Sequence, residues 1–252
     1  MHDIRYDEIN DEILVTNPFA QAIMIFRGGA NGEEAPIRII QGPSTQMDSP
    51  QRLDVDPVHN EIFVPDRGSV LVFPREATGD VTPIRVIRGP DSQLRIGGSV
   101  AVDPVRNLII TAGSVRNAGG GRDGNTGEDQ GSTALFIFNR TSDGNVKPRA
   151  VIHGPKTDLA GGKVDQIQVY TPKGWIIATR PGPTGDQKFE GVFVGVWSVN
   201  DNGDVPPRWK IGGPKSTLLR PRGIALIPKH KEIVVADMRL NALLTYYFPE
   251  LF

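Results

Sequence analysis

One pattern, Gly-x-x-x-Pro-x-x-x-Ile-x-Gly-Pro, occurs four times in this chain, at residues 32–43, 79–90, 144–155 and 203–214. A period of roughly fifty residues marks supersecondary units that cannot bury their apolar faces alone and must stack on one another. Each copy reads as a turn followed by a short strand. Gly79-Asp80 and Gly144-Asn145 pair a residue tolerant of positive φ with a polar turn former. The proline then opens a strand, as in Pro83–Arg88, and the closing Gly-Pro ends it. Because proline has no N–H to give a ladder, this strand is expected at a sheet edge.

Three further strands precede each copy. The first reads Leu53–Asp56, Val100–Asp103, Ile167–Tyr170 and Ile224–Ile227. The second reads Glu12–Val15, Glu61–Val64, Leu108–Thr111, Trp175–Ala178 and Glu232–Val235, and the third Ala22–Phe26, Val70–Phe73, Ala134–Phe138, Val192–Trp197 and Ala242–Tyr246. Runs such as Leu135-Phe136-Ile137-Phe138 are apolar throughout, which suits strands covered on both faces. No segment carries a helical stripe. Radial stacking of small antiparallel sheets satisfies all of this, so the expected fold is all-β, a β-propeller of about five four-stranded blades in one domain. The repeats run approximately over 4–52, 53–99, 100–166, 167–223 and 224–252, the last with three strands unless another segment completes it. Tyr246-Tyr247-Phe248 and Leu251-Phe252 read as apolar surface that closes a five-bladed ring, the alternative being a larger propeller.

Composition narrows the function classes. The net charge of −1 offers no basic surface of the kind that displaces counterions from nucleic acid. Cysteine is absent, so disulfides and thiolate metal sites are excluded. No stretch approaches the length of apolar residues that crosses a bilayer, so membrane insertion is not expected. The charged start, Met1–Glu8, does not read as a signal peptide.

Arg222-Gly223-Ile224-Ala225-Leu226 followed by Glu232–Asp237, with Asn241-Ala242-Leu243-Leu244 and Ser69–Phe73, resembles the repeat of NHL and related TolB-like six-bladed propellers. The resemblance covers nearly the whole chain and implies a fold rather than an activity. It also tilts the expected location towards the extracellular or periplasmic space. The count of five departs from the six blades of that group.

Loops on one face attract attention, because the insertions that stretch the period fall between second and third strands, at residues 114–133 and 180–191. Long loops on a rigid scaffold are where binding residues concentrate. Aligning the repeats places Asn17, Asp66, Gly113, Arg180 and Asp237 at the end of the second strand, and Asp3, Arg52, Ser99, Gln166 and Arg222 just before the first. The candidate ligand-binding residues are therefore Arg52, Asp66, Arg122, Asp123, Gln166, Arg180, Arg222 and Asp237. A structural reading stands beside it, in which Asp66 and Asp237 accept backbone N–H groups and shape turns. Arg5 and Asp54 share an aligned inner position and are expected to pair between adjacent blades.

Asp123, Asn125, Glu128 and Asp129 are oxygen donors in a glycine-rich loop and the candidate Ca²⁺ ligands, although their spacing does not match the helix-loop-helix calcium pattern. No other cofactor is expected. His2, His59, His153 and His230 fall in unrelated parts of the repeat and do not converge as a zinc site would require. G-x-S-x-G is missing, and no catalytic constellation emerges. The expected function is a non-catalytic platform for a protein, peptide or glycan ligand on the face that carries the long second-to-third-strand loops. The alternatives are a metal-dependent lactonase-like hydrolase or lyase, and a structural domain of a larger extracellular or periplasmic protein.

Overall fold

The computed structural model describes residues 2–95, 98–115, 133–160, 162–182 and 191–252. The fold is an all-β propeller of five blades, one fewer than the NHL-type resemblance implies. The first blade orders β1 (Ile4–Asp7), β2 (Glu12–Asn17), β3 (Ala22–Arg27) and β4 (Arg38–Gln41). In the second are β5 (Asp54–Asp56), β6 (Glu61–Asp66), β7 (Ser69–Pro74) and β8 (Arg85–Arg88). The third holds β9 (Ser99–Asp103), β10 (Leu108–Ser114), β11 (Thr133–Asn139) and β12 (Ala150–Ile152). Next come β13 (Gln166–Tyr170), β14 (Trp175–Pro181), β15 (Val192–Ser198) and β16 (Trp209–Gly212). The fifth has three strands, β17 (Pro221–Ile227), β18 (Glu232–Asp237) and β19 (Ala242–Tyr247).

Contacts divide the residues into two compact units, one of residues 1–111 with 138–147 and the other of residues 112–137 with 148–252. In the first, Leu14, Ile23, Ile25, Ile40, Leu53, Ile62, Leu71 and Phe73 form a buried core between the first and second blades. In the second, Ile177, Val194, Val196, Leu218, Ile233 and Val235 do the same between the fourth and fifth. Phe248 and Leu251 join that second core, and the ring of Phe252 meets Tyr170 edge-on at 5.0 Å. Tyr247, by contrast, is exposed.

The fourth strand starts later than the proline suggests. In the second blade pairing begins at Ile84, whose N–H donates to the Val72 carbonyl at 2.8 Å, and β8 proper runs only from Arg85. Ile37, Arg149 and Arg208 repeat this bond to Ile25, Ile137 and Val196. Proline brings no N–H, so the ladder opens one residue after it. The Gly-Pro that closes the strand turns into a single 3₁₀ turn, at Pro43–Thr45, Pro90–Ser92, Pro155–Thr157 and Pro214–Ser216.

Edge position is confirmed for β4, β8, β12 and β16, and it explains the repeat itself. Ile40, Ile87 and Ile152 make parallel bridges to Gly79, Gly144 and Gly203, the glycines of the following blade's copy. Around the first bridge, the Gln41 N–H donates to the Gly79 carbonyl at 3.1 Å and the Gly79 N–H to Ile39 at 2.6 Å. The residue after each of these glycines then folds over the preceding Gly-Pro turn. The Asp80 carboxylate accepts the Ser44 N–H at 2.7 Å, the Asn145 side chain accepts that of Asp91 at 2.8 Å, and Asp204 accepts that of Lys156 at 2.7 Å. A Cβ on Gly42, Gly89 or Gly154 would overlap these side chains, which is why each turn carries glycine. The motif is thus a clasp. The Gly-Pro turn of one blade is the socket, and the Gly-Asp or Gly-Asn of the next is the plug.

A second set of contacts joins the same neighbours. Glu12, at the start of β2, accepts a bidentate pair of hydrogen bonds from Arg38 at 2.8 Å and a third from Arg75 of the second blade at 2.9 Å. Burial alone would raise the Glu12 carboxyl, but the bonds from Arg38 and Arg75 more than offset it and hold the group below its ordinary value. Glu61 lies 2.8 Å from Arg85 of its own blade and 2.6 Å from Arg140 of the next.

Candidate binding pocket

The residues at the end of the second strand do two different things. Asp66 accepts the N–H groups of Asp48 and Ser49 at 2.6 and 3.0 Å. Asp237 accepts those of Leu219 and Arg220, both at 2.8 Å, and of Arg239 and Leu240 at 3.0 and 3.1 Å. Both carboxylates tie the incoming connection to a strand end, as short acidic side chains do in turns.

Arg180, at the aligned place in β14, has no counterpart to that role. Its guanidinium donates to the carbonyls of Gly191 and Ala160, the latter at 2.5 Å, and its Nε has no hydrogen-bond partner among the described residues although the residue is only 5% exposed. Burial pushes its pKa below the ordinary arginine value, with the charge of Asp158 opposing the shift. No carboxylate among the described residues forms an ion pair with it.

Arg180 lines a pocket of about 610 Å³ with Asp158, Ala160, Phe193, Lys210 and Gly213 among its walls. Two cations flank one ring there. The Arg180 guanidinium carbon lies 5.8 Å from the Phe193 centroid and the Lys210 Nζ 5.5 Å from it. Lys210 is also held 2.8 Å from Asp158, a half-exposed pair. Such a site offers a flat apolar wall, two positive charges of which one is buried, and carbonyls that fix the buried one. Its chemistry suits a carboxylate carried on an extended chain.

The residues before the first strand form a different group. Arg5 lies 3.1 Å from Asp54 and 3.5 Å from Asp3, while Arg52 lies 3.4 Å from Asp3. The expected pairing of Arg5 with Asp54 across adjacent blades is present, and Asp54 also accepts the Val102 N–H at 2.8 Å. Burial nonetheless outweighs Arg5 and these bonds and raises the Asp54 carboxyl above its usual range. Gln166 accepts the Ile224 N–H at 2.5 Å, and Arg222 pairs with Asp165 at 2.5 Å. These side chains link first strands of neighbouring blades.

Of the candidates read from the sequence, the structure brings Arg180 alone to the pocket. Arg122, Asp123, Asn125, Glu128 and Asp129 lie outside the described residues. Among the described residues no three His, Asp or Glu side chains cluster as a metal site would require. Phe193 and Lys210 were not legible as site residues, because one reads as a strand interior and the other as a solvated edge lysine. A trace existed: Gly195 sits two residues from Phe193 and from Trp197, and a Cβ there would overlap both rings. Glycine inside an otherwise apolar strand marks such crowding.

No known family matches the chain, and no curated protein does. Solved structures do. A chain in the crystal structure of the mitotic checkpoint complex is similar, with a TM-score of 0.57 and 13% identity over 94% of this chain. The present chain spans 61% of that relative's length. The likeness extends to 698 solved chains, so it identifies the fold and leaves the activity to be argued from the site.

Proposed function

We propose that the chain is a protein-binding platform, and that the Arg180–Phe193–Lys210 pocket, at the base of the long loop after β14, takes an acidic side chain of an extended ligand segment. The observation that carries this reading is Arg180: a buried guanidinium that faces a pocket and, among the described residues, has an unpartnered Nε and is held by carbonyls. A buried cation with no anion paired to it among the described residues is costly to keep for packing alone, and a ligand carboxylate would complete it. An Asp or Glu side chain on an extended peptide is the ligand this reading commits to. The strands at Gly223–Leu226 and Val234–Asp237 also carry the NHL-type sequence pieces where that repeat has them, so we place the chain with NHL and TolB-like propellers used as binding modules.

The test is a set of fluorescein-labelled peptides, each an extended hexamer with one central Glu, Asp or Gln, measured by anisotropy against the wild type and Arg180→Gln. Acidic peptides should bind in preference to the Gln peptide, and Arg180→Gln should lose about tenfold or more in affinity, the scale of one charge-assisted hydrogen bond. Equal binding of acidic and neutral peptides would sink the reading.

A further inference from the structure

The fifth blade exposes what every other blade covers. In the second blade the third strand, β7, is buried from Ser69 to Phe73, whereas the aligned β19 leaves Ala242, Leu243, Thr245 and Tyr247 exposed. Leu243 and Tyr247 are 72% and 69% exposed. Among the described residues β19 pairs with β18 on one side only. The repeat fixes which backbone groups this leaves open. The carbonyls of Ile25, Val72, Ile137 and Val196 accept the N–H that follows the repeat's proline, and Thr245 holds the same place in β19.

Beside that edge lies the fourth Gly-Pro turn, where Tyr246 Oη donates to the Ser216 carbonyl at 2.6 Å, and among the described residues it is the one copy without a plug. Ile40, Ile87 and Ile152 are fully buried and bridged, while Ile211 is half-buried and makes no such bridge among the described residues. Over Gly42, Gly89 and Gly154 stands a carboxylate or amide; over Gly213 nothing lies within 4 Å of a Cβ position. The clasped glycines have φ of 136, 127 and 129°, and Gly213 has 78°. The three plugs share more than glycine. They read Gly79-Asp80-Val81-Thr82-Pro83, Gly144-Asn145-Val146-Lys147-Pro148 and Gly203-Asp204-Val205-Pro206-Pro207. The first copy, whose Gly32 makes none of these bridges, has Glu33-Glu34 instead.

We infer that the β19 edge and the Ile211–Lys215 socket together bind an extended segment of a partner protein carrying Gly-[Asp/Asn]-Val-x-Pro-x-x-x-Ile. The segment adds a fourth strand antiparallel to β19, in the manner of strand addition to an open sheet edge. Its N–H after the proline bonds the Thr245 carbonyl, its glycine pairs beside Ile211, and its Asp or Asn side chain takes the Lys215 N–H. Specificity comes from the plug and affinity from the backbone ladder. The socket adjoins the Arg180 pocket, whose wall includes Gly213, and the inference goes beyond the platform reading by naming the sequence that is recognised.

A synthetic peptide with the sequence of residues 142–155 is the probe, since it carries an intact plug and strand. Labelled peptide should bind the full chain saturably and raise its melting temperature. Replacing the peptide's Asn145 by Leu should weaken binding about tenfold, the scale of one hydrogen bond whose partner is left unsatisfied. In the protein, Thr245→Pro removes an N–H that faces away from β18, a place where an edge strand tolerates proline. It should melt like the wild type and bind the peptide about tenfold or more weakly. Gly213→Val, which puts a side chain where the plug sits, should also weaken the peptide about tenfold, with a lower melting temperature because valine is strained at a φ of 78°, while Arg180→Gln should bind the peptide as the wild type does. Absence of peptide binding, or equal binding by Thr245→Pro, overturns the proposal. A dimer that Thr245→Pro disperses, with no peptide captured, overturns it too and assigns the edge to a second copy.

Discussion

Aligned positions join neighbouring blades by opposite chemistry in the two units. In the first, Glu12 gathers Arg38 and Arg75, and Glu61 gathers Arg85 and Arg140. In the second, the same three places hold Trp175, Trp209 and Phe248. Trp209 meets Trp175 edge-on at 5.4 Å and Phe248 at 6.0 Å, with the Arg208 guanidinium 5.4 Å from the Trp175 ring. An ionic triad has thus been exchanged for an aromatic one as a set. The difference teaches that the repeat conserves a contact rather than a residue type. Either a charged fork held by ion pairs or three interlocking rings fills the seam, and a mixture would leave a charge buried without a partner.

The comparison can be broken at each end. The largest effect is expected from Glu12→Ala, which leaves Arg38 and Arg75 facing each other in the seam; about 3–5 kcal/mol should be lost, as when one member of a buried ion pair is removed. Denaturant unfolding measures it, and a loss near zero would show that the triad is ornamental. Trp175→Leu should come next, at somewhat less than the roughly 3–5 kcal/mol of a Trp→Ala change, because leucine refills part of the space. Restoring charge in a piece, with Trp175→Glu alone, should be worse than leucine, and a variant with Glu, Arg and Arg at positions 175, 209 and 248 should recover part of that loss.

Acid separates the two seams more gently. The Glu12 carboxyl is held below its ordinary value in the folded state, so its contribution is present above that value and disappears as pH falls through the folded pKa. Between pH 6 and pH 3 the wild type should therefore lose more stability than Glu12→Gln, while the destabilisation caused by Trp175→Leu stays constant. A parallel acid response in wild type and Glu12→Gln would remove the charge from the explanation. The smallest effect belongs to Arg27 and Glu34, an ion pair that Arg27 makes from a largely exposed position. Glu34→Ala should leave the melting temperature unchanged within error, as surface pairs generally do.

Much of the fold was legible because the repeat states it directly. The continuous apolar runs at Ile62–Val64 and Leu135–Phe138 became buried central strands, and the prolines marked edges. The clasp was not legible, since Gly-Asp reads locally as a turn former and its partner turn lies 36 residues away, as between Ser44 and Asp80. The seam triads were hidden for a related reason: their members are spread over 63 residues between Glu12 and Arg75, and only three-dimensional contact shows them to be one unit. At the site, Arg180 was legible as one of the aligned residues at the end of the second strand. Phe193 and Lys210 were not, as each fits an ordinary strand role.

The clasp also separates what must be kept from what is open to revision. Among the described residues, each clasp lies along a fourth strand and the turns at its two ends, and none uses the connection between second and third strands. In the second blade that connection is only Arg67 and Gly68, both at positive φ; in the third it runs from Ser114 to Thr133. The architecture therefore works as a chassis with interchangeable fittings. A foreign sequence spliced between Arg67 and Gly68 should leave blade spacing untouched, so new recognition can be added without renegotiating the frame.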